Sequence, residues 1–169
     1  MQNLKDHIDE PMLKVVAGLN LIGFKTWMSC CGFKYKGEKV KKSHLGKPYV
    51  YLDYKQISED FFLRDVLCDL SLKSDWIFCK RLPFIDFYAE VWKDNHVWKE
   101  KESVHNYESY VLSISALNRA ILDRDFNFKD KVTISDGNKF YKEKVSSYWQ
   151  YEPTEDWVVT KEEYLAMPM

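Results

Sequence analysis

The sequence predicts an α+β fold, a single domain over residues 1–169 with helices packed on a mixed or antiparallel sheet. Three observations carry this expectation. Apolar residues recur at helical spacing in several stretches, while short alternating stretches between them read as strands. The two kinds are mixed without a regular β-α-β rhythm, so a regular parallel sheet is not expected. The length of 169 residues suits one domain, and 46% apolar residues suffice for a core. No internal repeat, low-complexity tract or Gly/Pro/Ser-rich linker divides the chain.

The elements follow in order. Glu10-Pro11 opens a helix, with proline tolerated in the first turn. Met12, Val15, Val16, Leu19 and Ile22 then form one apolar stripe, and Gly23 is placed to end it. Phe24 to Ser29 alternates apolar and polar groups and predicts a strand. Cys30 to Lys47 shows no period and reads as a loop. Pro48 starts a second strand that runs to Tyr54. Ser58 is the expected cap of a second helix, whose inner stripe is Leu63, Val66, Leu67 and Leu70. Trp76 to Lys80 and Phe84 to Val91 read as two more strands, close enough through Arg81-Leu82-Pro83 to form a hairpin.

Asp94 to Ser103 is polar and charged and reads as an exposed loop. The longest helical pattern follows, with Tyr107, Tyr110, Val111, Ile114, Leu117 and Ile121 on one face. It breaks over Asp123 to Asp130. A short strand is expected from Lys131 to Ile134, a turn at Asp136-Gly137, and a helix from Asn138 that carries Tyr141, Val145 and Tyr148. Trp157-Val158-Val159 reads as a last strand. Thr160 and Glu163 have capping-box spacing for a short C-terminal helix.

Composition narrows the classes of function. No apolar run approaches the roughly 18 residues of a membrane helix. The polar stretch Met1 to Glu10 has no secretory character, so the expected location is cytoplasmic. The net charge of −1 argues against broad binding to nucleic acid. The charge is unevenly spread, however. Lysines 34, 36, 39, 41, 42 and 47 face one acid, Glu38, whereas Glu152, Glu155, Asp156, Glu162 and Glu163 cluster near the other end. Aromatics make up 16% of the chain, enough for a ring-rich core or for a partner-binding surface.

Four cysteines are present: Cys30, Cys31, Cys68 and Cys79. They show no C-x-x-C spacing, and a cytoplasmic chain is expected to keep them reduced. Cys68 on a helix face and Cys79 in a strand are expected to be small buried hydrophobes. The Cys30-Cys31-Gly32 turn raises a functional question. Gly32 permits a positive φ there, and consecutive backbone N–H groups of such a turn can cradle an anion. The lysines that follow would favour a thiolate.

His44, between the two strands, is the candidate base for Cys30 as nucleophile; Asp53 and Asp86 are candidate orienting carboxylates. Ser29, Cys31, Gly32, Lys42 and Lys47 are the candidate ligand-binding residues. A packing role for one or both cysteines fits the same pattern. A zinc site drawing on Cys30, Cys31, His44 and His96 or His105 lacks the close ligand spacing zinc sites show, so no metal is expected. Asp86, Tyr88 and Glu90 share one face of their strand, either a solvated surface or the floor of a cleft. No Gly-rich phosphate loop, G-x-S-x-G elbow or H-E-x-x-H is present, and the sequence identifies no cofactor.

At Thr26-Trp27-Met28-Ser29-Cys30-Cys31-Gly32 the chain resembles two groups of proteins. One is a set of small uncharacterised bacterial and phage proteins. In these a helix, a Gly-aromatic-x-Thr strand and a Ser-Cys-x-Gly turn precede an extended segment like Pro48-Tyr49-Val50; the likeness covers residues 13–54. The turn alone is similar to that of the wybutosine-synthesis methyltransferase family, which modifies a tRNA base with S-adenosylmethionine. Thr26, Ser29, Cys30 and Gly32 fit that family's Thr-x-x-Ser-Cys-Ser-Gly, whereas Cys31 replaces its second serine. No second methyltransferase motif occurs in the chain. The resemblance implies a similar helix–strand–turn unit.

Two functions are therefore expected as alternatives. The first is binding of an anionic small molecule or nucleotide at the turn and the lysine loop. The second is a non-enzymatic interaction module of phage or mobile-element type. It would bind a host protein through exposed aromatics, with Trp92 and Trp98 as anchors.

Overall fold

The structure, a computed structural model, describes residues 2–31, 48–74, 76–79, 97–100, 107–124, 126–135 and 154–169. Its strands are β1 (Gln2–Asn3), β2 (Thr26–Cys30), β3 (Tyr49–Leu52), β4 (Trp76–Cys79), β5 (Val97–Glu100), β6 (Lys131–Ile134), β7 (Thr154–Glu155) and β8 (Trp157–Thr160). The helices are α1 (Leu13–Ile22), α2 (Tyr54–Glu59), α3 (Phe61–Ser74), α4 (Tyr107–Asp123) and α5 (Lys161–Ala166). Two 3-10 turns, Leu4–His7 and Glu10–Met12, precede α1. The fold is α+β, as the sequence predicts.

Helix α1 is the centre of the molecule. Every residue from Lys14 to Ile22 is buried, so the helix hides far more than one stripe. The residues between the stripe positions explain this: Ala17, Gly18 and Leu21 are small or apolar, and the amide of Asn20 is satisfied internally. A helix that can bury its whole circumference is placed inside a core rather than on its edge. Gly23 ends α1 with φ at 132°, a conformation that side chains oppose, and its N–H donates to the carbonyls of Leu19 and Asn20.

The main sheet has the order β2-β3-β5-β4, with every neighbour antiparallel. Cys30 pairs with Tyr49, and Ser29 with Val50. The ladder is irregular between Thr26 and Met28, next to Trp27. Two small sheets accompany it among the described residues: β1 runs parallel to β7, and β6 antiparallel to β8. One hydrophobic cluster joins these parts. It contains Met12 and Leu19 near the centre, Leu67 of α3, Leu117 of α4, Trp157 of β8 and Tyr164 of α5.

Three expectations need correction. The segment Asp94 to Ser103 is not all exposed loop, because Val97–Glu100 is an interior strand paired with β3 on one side and β4 on the other. Strand preference depends on neighbours, so flanking strands can recruit a short, charge-flanked segment. Ser58 does not cap a helix. Asp53 caps α2 through Gln56 N–H (3.2 Å), and the Asp60 carboxylate accepts from Leu63 N–H (3.0 Å) at the start of α3. The Ser58 hydroxyl instead donates to the Lys55 carbonyl. Cys68 is exposed rather than buried, since it lies on the outer face of α3 with Phe61 and Leu72.

The C-terminal capping box is present: Thr160 Oγ1 accepts from Glu163 N–H and Glu163 Oε1 from Thr160 N–H. The stretches 84–91 and 138–148 lie outside the described residues, and with them the expected hairpin partner of β4 and the helix from Asn138. Among the described residues no helix is long and apolar enough to cross a membrane.

Candidate functional site

The Ser29-Cys30-Cys31 segment closes β2 where the strand leaves the sheet. Ser29 is half-buried, Cys30 buried and Cys31 wholly buried. The N–H of Cys31 donates to Oδ2 of Asp9 at 2.9 Å, and Asp9 is itself only 3% exposed. A buried carboxylate requires such donors. The backbone N–H of Cys31 is thus taken by a side chain of the chain itself.

Gly32, Lys42, His44 and Lys47 lie outside the described residues, as do Asp86, Glu90, Trp92, His96 and His105. Asp53 is the N-cap of α2, and its own N–H donates to the Lys25 carbonyl at 3.0 Å. Trp98 lies within β5, in register with Val50 and Phe78. Among the described residues no group of three His, Cys, Asp or Glu could hold a metal ion.

Beside Ser29 the structure has a cleft of about 150 Å³. Leu4, His7 and Ile8 of the N-terminal turn form one wall. Thr26, Trp27, Met28 and Ser29 of β2 form another. Val16 of α1, Ile134 at the end of β6 and Ser135 complete the lining.

Local chemistry holds these walls in place. Asn20 on α1 donates from Nδ2 to the Val16 carbonyl (2.8 Å) and to Thr26 Oγ1 (3.0 Å), which ties the start of β2 to the central helix. The Lys25 ammonium sits 5.1 Å from the centroid of the Trp27 ring and steadies that side chain from outside. Asn3 starts the N-terminal 3-10 turn by accepting from Lys5 N–H at 2.9 Å.

Of the residues expected at a ligand site, Ser29 lines this cleft. Cys30 and Cys31 do not line it, although they follow Ser29 directly. His7 and Ser135 have no counterpart among the expected site residues, for neither stands in a motif. His7 sits in a polar N-terminal stretch, and Ser135 follows a short strand far along the chain. No protein-family model, curated protein or solved structure matches the chain.

Proposed function

We propose that the chain binds a small anionic ligand in the cleft beside Ser29. One observation carries the reading: Ser29, His7 and Ser135, from three separate parts of the chain, line one cleft together with Leu4, Val16, Trp27 and Ile134. A few polar groups set into apolar walls are the usual composition of small-ligand sites. The hydroxyls and the imidazole can each donate to an anionic head. At about 150 Å³ the cleft holds a fragment rather than a whole nucleotide, since drug-sized sites run from roughly 300 Å³ upward. The function proposed is binding, without a covalent step through Cys30, whose side chain is buried.

Calorimetric titration with small carboxylates and phosphates tests this. The wild type binds at least one of them, and Ser29→Phe, with an unchanged circular dichroism spectrum, loses the binding. Silence across the panel, or affinity unaffected by Ser29→Phe, would reject the proposal.

A second reading, as a protein-interaction module, is favoured by a different observation. Phe61 and Leu72 on the outer face of α3 are 78% and 81% exposed. On that reading these two side chains would be the anchors.

A further inference from the structure

We infer that the ligand of this cleft is a compact aromatic carboxylate, with one apolar ring held inside and its charged head at the mouth. The inference rests on the binding reading above and follows from how exposure is distributed around the cleft. Leu4, Val16, Trp27 and Ile134 are 6%, 2%, 5% and 3% exposed. His7 and Ser135 are exposed, and Ser29 is intermediate. The most buried of the lining residues are thus mainly apolar, with Ile8 and Met28 intermediate; the buried polar one, Thr26, already accepts a bond from Asn20, and His7, Ser29 and Ser135 are the more exposed polar residues. A ligand matching that gradient is amphipathic along one axis.

Its apolar part is limited by space. A cavity of about 150 Å³ lined by aliphatic and aromatic side chains is large enough for one benzene-sized ring. Such walls exclude water poorly from a bare oxyanion but well from a ring. A small oxyanion alone would gain nothing from the apolar part of the lining. A carboxylate on the ring spreads a single charge over two acceptor oxygens. Those oxygens suit the two hydroxyls and one imidazole at the mouth.

The test compares ligands that share a head and differ in the ring, by calorimetry on the full chain. Benzoate is expected to bind about tenfold tighter than acetate or more, the scale of burying one ring. Ser135→Trp, a change at an exposed rim position that the fold should accept, is expected to abolish the difference, as is Ser29→Phe. Equal binding of acetate and benzoate would overturn the inference, as would inorganic phosphate binding more tightly than benzoate. In either case the cleft would still be a small-anion site. Failure of every probe to bind would reject the site itself, and the inference with it.

Discussion

At the scale of single residues, the thiols divide by surroundings rather than by sequence context. Cys30 and Cys31 are buried at the end of β2, whereas Cys68 is exposed on α3. Thiol reagents need access as well as thiolate. Native labelling with a maleimide is therefore expected to modify Cys68 quickly and Cys30 and Cys31 only as the fold opens, as peptide mass spectrometry would read. Fast labelling of Cys30 would contradict its burial. The adjacency of two cysteines before a glycine draws attention to the turn. The burial of Cys31 goes with its bond to Asp9 and its place in the core around α1, which no local pattern reveals.

Tyr164 presents a second residue-scale case. Its ring is fully buried and, among the described residues, its hydroxyl has no hydrogen-bond partner. An unmet buried hydroxyl destabilises by about 1–3 kcal/mol, so Tyr164→Phe should be neutral or stabilising at pH 7 in chemical denaturation. Burial also holds the phenol protonated well above its ordinary range. The unfolded chain releases that proton near pH 10, so stability present below that pH falls as pH rises further. Lys14, whose pKa burial lowers, acts in the opposite sense over the window just below its ordinary value of 10.5. It is common to both proteins, and the comparison isolates Tyr164. The wild type should lose more stability above about pH 10 than Tyr164→Phe does.

At the scale of elements, the contact of α1 with α5 turns on one glycine. A Cβ at Gly18 would sit 2.8 Å from Cε1 and 2.9 Å from the hydroxyl oxygen of Tyr164. Next to this contact, Lys14 Nζ donates to the Tyr164 (3.2 Å) and Met167 (2.6 Å) carbonyls and lies 5.1 Å from the Tyr164 ring centroid. The ring is held from several sides and has little room to retreat. In an open helix Gly→Ala stabilises by about 1 kcal/mol. Here overpacking of about 1–3 kcal/mol opposes it. Gly18→Ala is expected to lower Tm by a few degrees, at about 2–4 °C per kcal/mol for a chain of this size. A rise in Tm would show that the two helices are less closely packed.

Most elements were legible because each carries its own signal. The stripe before Gly23, the aromatic alternation of β3 and the Thr160–Glu163 spacing are local properties of a few residues. Strand β5 is different: four residues among charged neighbours become a strand because β3 and β4 offer ladders on both sides. The division between α2 and α3 was hidden for a similar reason. Ser58 has cap chemistry, but two aspartates that flank it take the capping positions.

At the scale of the whole molecule, the two ends of the described chain close on each other. Strand β1 pairs with β7, and Asn3 Nδ2 donates to the Asp156 carbonyl at 3.4 Å. Strand β8 pairs with β6, placing Trp157 opposite Ile134. The cleft depends on this closure, since Ile134 is one of its walls and the N-terminal turn is another. A site assembled from Leu4 to Ser135 has no spacing to be read, which is why only Ser29 was legible in advance.

Removal of residues 154–169 tests the closure. It would strip Trp157, Val159 and Tyr164 from the core, at 3%, 0% and 0% exposure. At about 1.5–3 kcal/mol for each buried side chain, the loss is roughly 5–9 kcal/mol, comparable to the whole stability of about 5–15 kcal/mol typical of a domain. The lost β1 and β6 pairings and the unpartnered Lys14 ammonium add to it. The shortened chain is expected to show no cooperative thermal transition by circular dichroism, and no ligand binding in the cleft. A cooperative melt within a few degrees of the full chain would mean that the last two strands and α5 are an appendage to the core rather than part of it.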